Sequence, residues 1–350
     1  MAERLSAIPA QAGSGGVAAP DPAADGRAPG GYAGGELLAE VTRSGFVESY
    51  HRGSVVVLSA TGEAVAAAGD VTGPIYPRSS NKPMQATGML KAGLALAEPA
   101  QLALVSASHH GEPMHVDLAR TMLRGGGLPE QALACPPDLP LAEAARRDVI
   151  LGGGGPSRIY MNCSGKHTGM LLTCLAAGWP IEGYHRPDHP LQRHLRSVVE
   201  EMSGEPAAAV GVDGCGAPVL AISLYALATA YLRLVQGQPG TAGRTVADAM
   251  RAYPELVSGT GADDARLMRG VPGLLAKGGA EGVLAVAVPG AGAVAIKIDD
   301  GSRRARFPVV ASALRRLGVD APILDELAGD AEGVIQRGRG EPVGVVRAIW

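Results

Sequence analysis

Aromatic surface is scarce in this chain, with Phe, Trp and Tyr together making up 3% of 350 residues. That scarcity argues against ligands held by stacking, such as nucleic-acid bases or sugars on aromatic platforms. A basic excess is missing as well: 31 Lys and Arg face 34 Asp and Glu, giving a formal charge of -3 and a pI near 6.3. No electrostatic footprint for nucleic acid results, and no Lys/Arg cluster suggests an anionic membrane surface. A small, roughly neutral ligand fits this charge balance better. Cysteine is sparse and irregularly spaced, at Cys135, Cys163, Cys174 and Cys215. With no apolar segment behind a basic start, that pattern sets the expectation of a cytoplasmic protein with free thiols. Only one uncharged stretch, Gly214 to Leu232, approaches the length of a membrane span. It also contains Gly216, Pro218, Ser223 and Thr229, and reads as a buried helix of a soluble core.

What is present is ample apolar material, 46% of the residues, enough to build one large domain or two average ones. Residues 1–35 are dominated by Ala, Gly, Pro and Ser, cannot offset their ordering entropy by burial, and read as a disordered extension. From Glu36 the pattern becomes that of a folded domain, expected to span 36–350. Within Ser54 to Asp70, two apolar runs flank Ala60-Thr61-Gly62-Glu63, a hairpin signal. A second hairpin is expected where Val283–Val288 and Ala293–Ile298 flank Pro289-Gly290-Ala291-Gly292. Leu102–Ser108 reads as a buried strand, Met114–Leu123 and Phe307–Leu317 as helices, and Val343–Ile349 as a final strand. Asp188 and Pro190 open another helix, with Leu191, Leu195, Val198, Val199 and Met202 on one face. Strands at both ends with helices clustered between them imply an antiparallel sheet and a helical layer, the α+β class.

Ser79 and Lys82 stand in Ser-x-x-Lys spacing, which on a helix puts both side chains on one face, close enough for an amine to take a hydroxyl proton. Pro83 restricts that helix to starting at Ser79 or Ser80, so Ser79 lies at a positive helix end. An isolated Ser-x-x-Lys is as readily a cap serine with a surface lysine. Ser108 follows an apolar segment and opens a polar run, Ser108-His109-His110. Lys277-Gly278-Gly279 precedes the last hairpin, and a Lys-x-Gly element of this kind accompanies the serine of penicillin-recognising acyl-enzymes. Asn162-Cys163-Ser164-Gly165-Lys166-His167 and Asp213-Gly214-Cys215-Gly216 are dense polar segments in apolar surroundings. Buried free cysteines acting as small hydrophobes are the plainer account of them.

Taken in order, these segments resemble the bacterial L-asparaginase II family, the serine/lysine asparaginases. The likeness runs through Val47–Gly53, Arg78–Gln85, Ser108-His109, Asn162–Gly169, Gly183–Pro190, Val212–Cys215, Ser258–Gly261 and Lys277–Gly282. The resemblance implies a β-lactamase-like fold and hydrolysis of L-asparagine to aspartate and ammonia through an acyl-enzyme, with backbone amides as oxyanion hole. It also implies Ser79 as nucleophile with Lys82 as its base, and a second Ser/Lys pair, Ser108 and Lys277, that assists. Arg78, His109 and Asp213 are expected to contact substrate. One zinc ion is implied on Cys163, Lys166 and Cys215, with no organic cofactor, although a lysine ligand must first lose its proton. The expected assembly is a homodimer acting on a small-molecule amide, with neither nucleic acid nor membrane as partner. Asn81 and His110 depart from the residues usual at their positions and bear on substrate preference. An amidase or esterase of the same fold acting on glutamine or a β-lactam, or a silent ligand-binding relative, are the alternatives.

Overall fold

The computed structural model describes residues 31–331 and 333–350, so the expected extension lies outside the described residues as far as residue 30. The compact unit begins at Tyr32 rather than Glu36. Polar groups hold this start in place: Tyr32 donates to Asp299 Oδ1 (2.6 Å), the Ala33 amide to Asp70 (2.8 Å) and the Gly35 amide to Asp299 (2.9 Å).

Strands β1 (Glu36–Arg43), β2 (Phe46–Ser59) and β3 (Ala64–Ala68) come first. β4 (Pro74–Ile75), β5 (Ala209–Val212) and β6 (Pro218–Ser223) make a small separate sheet in the order β4-β6-β5. β7 (Leu275–Gly278), β8 (Val283–Val288), β9 (Gly292–Ile298), β10 (Ile335–Gly338) and β11 (Glu341–Ala348) complete the large sheet. Its order is β10-β11-β1-β2-β9-β8-β7, with β3 also on β2, and every pairing is antiparallel. Both expected hairpins form, with Val55 opposite Ala68 and Val286 opposite Val294. All of β8 and nearly all of β9 are buried, so both faces of the sheet are covered at its centre. Helices Leu224–Gln236 and Arg306–Arg316 both pack on β9. Each Val or Leu buried there contributes roughly 1.5–3 kcal/mol.

Helices fill the span between the strands, as the α+β reading requires. Three expected helices are found as Pro113–Gly125, Pro190–Ser203 and Arg306–Arg316. The second is capped by His189, whose Nδ1 accepts from the Leu191 amide (3.1 Å), rather than by Asp188. Two expectations need correction. Leu102–Ser108 is no strand; its apolar run lies in helix Pro99–Val105, opened by a reciprocal capping box between Glu98 and Gln101. The uncharged stretch from Gly214 is not one helix but β6 followed by helix Leu224–Gln236, the break falling at Ser223, whose hydroxyl caps the Ala226 amide (3.0 Å). Among the described residues no helix is long and apolar enough to cross a membrane.

Candidate active site

β4 leads through Pro77 into a single 3-10 turn, Arg78–Asn81, and then into helix Lys82–Lys91 with Pro83 in its first turn. The α-helix therefore starts at Lys82, later than Pro83 alone suggests, and Ser79 sits in the turn that feeds it. Arg78 has φ 52°, a left-handed conformation costly for a residue with a Cβ. It is held there by its Nε, which donates to Asp213 Oδ1 at 2.7 Å. Asp213 follows β5, and β4 and β5 run the same way on either side of β6, so the small sheet delivers Arg78 and Asp213 at the same end.

Ser108 arrives from the end of helix Pro99–Val105. Its amide donates to Val257 O (3.0 Å), the His109 amide to Asn162 O (3.0 Å) and the His110 amide to Ser258 O (2.7 Å), so this short segment is clamped on both sides. Ser79, Ser108, Asn162, Ser258 and Lys277 then line one cavity of about 650 Å³. The Ser79 hydroxyl has no hydrogen-bond partner among the described residues. Lys82 lies buried behind the cavity and donates to Ser108 Oγ (2.7 Å), Ala107 O (2.5 Å) and Cys163 Sγ (3.1 Å). Lys277 donates to Gly278 O (2.8 Å). The lysine expected beside Ser79 is thus bonded to the second serine. The four groups converge on one place with partners different from those that spacing suggests.

Electrostatics distinguish the two lysines' surroundings. Burial pulls Lys277 down from its ordinary 10.5 to about 7, with Asp264 opposing the fall and Lys82 adding to it. For Asp264, burial alone would raise the carboxyl, but Lys277, Arg306 and the Gly278 amide (2.8 Å) hold it below the usual carboxylate range. His109 does not line the cavity. It is fully buried, stacks on His115 at 5.1 Å, accepts from the Gly111 amide at Nδ1 and shares a 2.8 Å bond with Ser164 Oγ through Nε2. Burial, with His115 and Lys82 nearby, holds its ring well below the ordinary histidine range, so it is a neutral strut beneath the site.

Beyond Lys82 lies a sulfur cluster. Lys166 donates to Cys215 Sγ (3.1 Å) and Cys163 to Asn162 Oδ1 (2.9 Å). Nearness to the Cys163 thiol holds Cys215 far below an ordinary thiol; burial opposes that shift, and Lys166 and His167 favour it. Cys163 is pushed up by the nearby Cys215 and by burial. Lys166, despite its burial, is raised by Cys215 and Cys163. Among the described residues no group of three or more His, Cys, Asp or Glu could hold a metal ion. Two sulfurs and an amine nevertheless meet here, and this donor set fits zinc once the ammonium and the thiols give up their protons.

Sequence reasoning overlooks Asp264 and Glu281. The first is signalled only by two adjacent acids at the start of helix Asp263–Gly270, and the second lies unremarked inside the Lys277–Gly282 segment.

Among curated proteins no sequence matches this chain significantly. Of solved structures, it is similar to Mglu in its native form, at 15% identity over 75% of this chain with TM-score 0.41, and spans 63% of that protein's length. It is similar also to a β-lactamase from Mycobacterium bovis, at 15% identity over 79% of this chain and 94% of the other, with TM-score 0.37. A family model described as L-asparaginase II matches residues 39–348. With Ser79, Ser108 and Lys277 lining one cavity inside that range and Lys82 bonded to Ser108 behind it, the chain belongs to the L-asparaginase II family.

Proposed function

We propose that the protein hydrolyses the side-chain amide of L-asparagine, releasing ammonia through an acyl-enzyme on Ser79. The observation that carries this reading is the hydrogen bond from Lys82 Nζ to Ser108 Oγ at 2.7 Å, at a cavity that Ser79 and Lys277 also line. In this reading Lys82 first gives up one proton, and its freed lone pair then takes the Ser79 proton by way of the Ser108 hydroxyl while Ser79 Oγ bonds to the amide carbon and the carbonyl electron pair moves onto oxygen. The C–N bond then breaks as a lysine returns a proton to the departing nitrogen, and ammonia leaves. Water repeats the sequence on the ester, freeing aspartate and Ser79. Lys277, about half neutral near pH 7, adjusts the charge at the cavity as protons move.

Ammonia release from L-asparagine by purified protein tests the activity, with L-glutamine and a β-lactam as competing substrates. Ser79→Ala is expected to reduce turnover at least a thousandfold, roughly the loss when an acyl-enzyme nucleophile is removed. Near-normal release by that variant would end the assignment of Ser79.

We infer further that Cys163, Lys166 and Cys215 hold a zinc ion, which when bound supplies a Lewis acid beside the substrate. Metal analysis of the purified protein should then find about one zinc per chain, as a three-ligand site with one open position requires. Metal-free protein of undiminished stability and activity would remove zinc from the site.

A further inference from the structure

We propose that Glu281 binds the α-ammonium group of the substrate and so confines the enzyme to amides of α-amino acids. This rests on the amidase reading above and specifies which amides the cavity accepts.

The turn between β7 and β8 holds an unsuited residue. Between β7 and β8 the chain reverses through Ala280-Glu281-Gly282-Val283, closed by the Val283 amide on Ala280 O (3.3 Å). Glu281 has φ 57° and Gly282 φ 70°, so both central residues are left-handed, the type I′ pattern. Asn followed by Gly satisfies that pattern without strain, because Asn tolerates the left-handed region and Glu does not. The Glu281 side chain does not repay the strain through its one ion pair. Its side chain is 64% exposed and its carboxylate stands 3.7 Å from Arg78 Nη1, a separation and exposure at which ion pairs add little.

Position supplies the reason for an acid. Glu281 lines the cavity that Ser79 lines. The same turn presses against the nucleophile's segment: a Cβ added to Gly279 would lie 2.5 Å from Pro77 O and 3.1 Å from Ser80 Oγ. Across from Glu281 stands Arg78, likewise left-handed, its Nε committed to Asp213 and its Nη1 3.7 Å from the Glu281 carboxylate. Two residues in costly conformations therefore present opposite charges, loosely paired, beside one serine. An α-amino acid carries a carboxylate and an ammonium on one carbon. Entering between them, it replaces one loose pair with two close ones, its carboxylate toward Arg78 and its ammonium toward Glu281.

The test compares kcat/KM for L-asparagine with that for succinamate, which is asparagine without its α-amino group. Wild type is set beside Glu281→Gln and Glu281→Asn. The preference for asparagine is expected to fall at least tenfold in both variants, while Glu281→Asn melts at or above the wild-type temperature because its turn is relieved. An unchanged preference in either variant, or equal losses on both amides, would overturn the assignment while leaving the amidase intact. Wild-type protein that releases ammonia from neither compound would instead remove the amidase reading, and the role of Glu281 with it.

Discussion

Lys277 shows how one buried residue can tie stability to pH. Burial pulls its folded pKa to about 7, against 10.5 when free. Between those values the unfolded chain binds a proton that the folded protein does not, so stability rises with pH across the window. Below about 7 the lysine's penalty is fully present. Each pH unit inside the window is worth up to about 1.4 kcal/mol from this group. Urea titrations at pH 7 and about pH 9 should therefore show wild type gaining stability relative to Lys277→Met, whose curve lacks this contribution. Parallel slopes for the two proteins would mean that Lys277 keeps its proton throughout. Ser80, adjacent to the nucleophile, is buried and donates to Lys277 O at 2.9 Å, and its own carbonyl accepts from Tyr231. Its neighbour Ser79 is left free to react because Ser80 anchors the turn.

The site's rear wall depends on one close crossing of helices. Helix Ser164–Ala177 carries Ser164 and Lys166, and approaches helix Pro99–Val105 so nearly that a Cβ at Gly165 would stand 2.5 Å from Leu104 O. Alanine there gains about 1 kcal/mol of helix propensity, but the obstacle is backbone and cannot rotate away. Gly165→Ala is therefore expected to lower the unfolding free energy by about 2 kcal/mol net, read as a shift of the urea midpoint. A variant as stable as wild type would show that the two helices can separate at no cost. Other elements explain what the sequence can disclose. The two hairpins are legible because alternating β-branched runs and a glycine turn are local signals. Leu102–Ser108 is not, because a short continuous apolar run fits a buried strand and a buried helix equally; the Glu98-Pro99-Ala100-Gln101 cap was the cue that separates them. In the site, residue identities are legible from motif order, whereas partners are not. Lys82 meets Ser108 because helix Pro99–Val105 ends beside it, a fact of packing that no spacing records.

For the molecule as a whole, nearly all the buried apolar residues among those described form one continuous cluster running from Leu38 to Val346. Damage at the far edge of the sheet should thus reach the cavity as loss of the entire fold. Val346, fully buried in β11 and opposite Val41 of β1, tests this. Val346→Asp places an unpaired charge there, at a cost of about 3–5 kcal/mol. Thermal loss of circular dichroism and of ammonia release should coincide and shift down together. Two separated transitions would show that the edge strands melt as an independent unit. The adjacency of β1 and β11 also has a consequence in time. Ala39 pairs with Ala348, so during synthesis at about 5–20 residues per second one edge of β1 waits on the order of 15–60 s for its partner to be made. Throughout that interval the hairpin of β1 and β2 exposes an unpaired row of backbone donors and acceptors, which any other extended chain can pair with. Crowding of nascent chains, rather than heat, should therefore be the condition under which this protein is most easily lost.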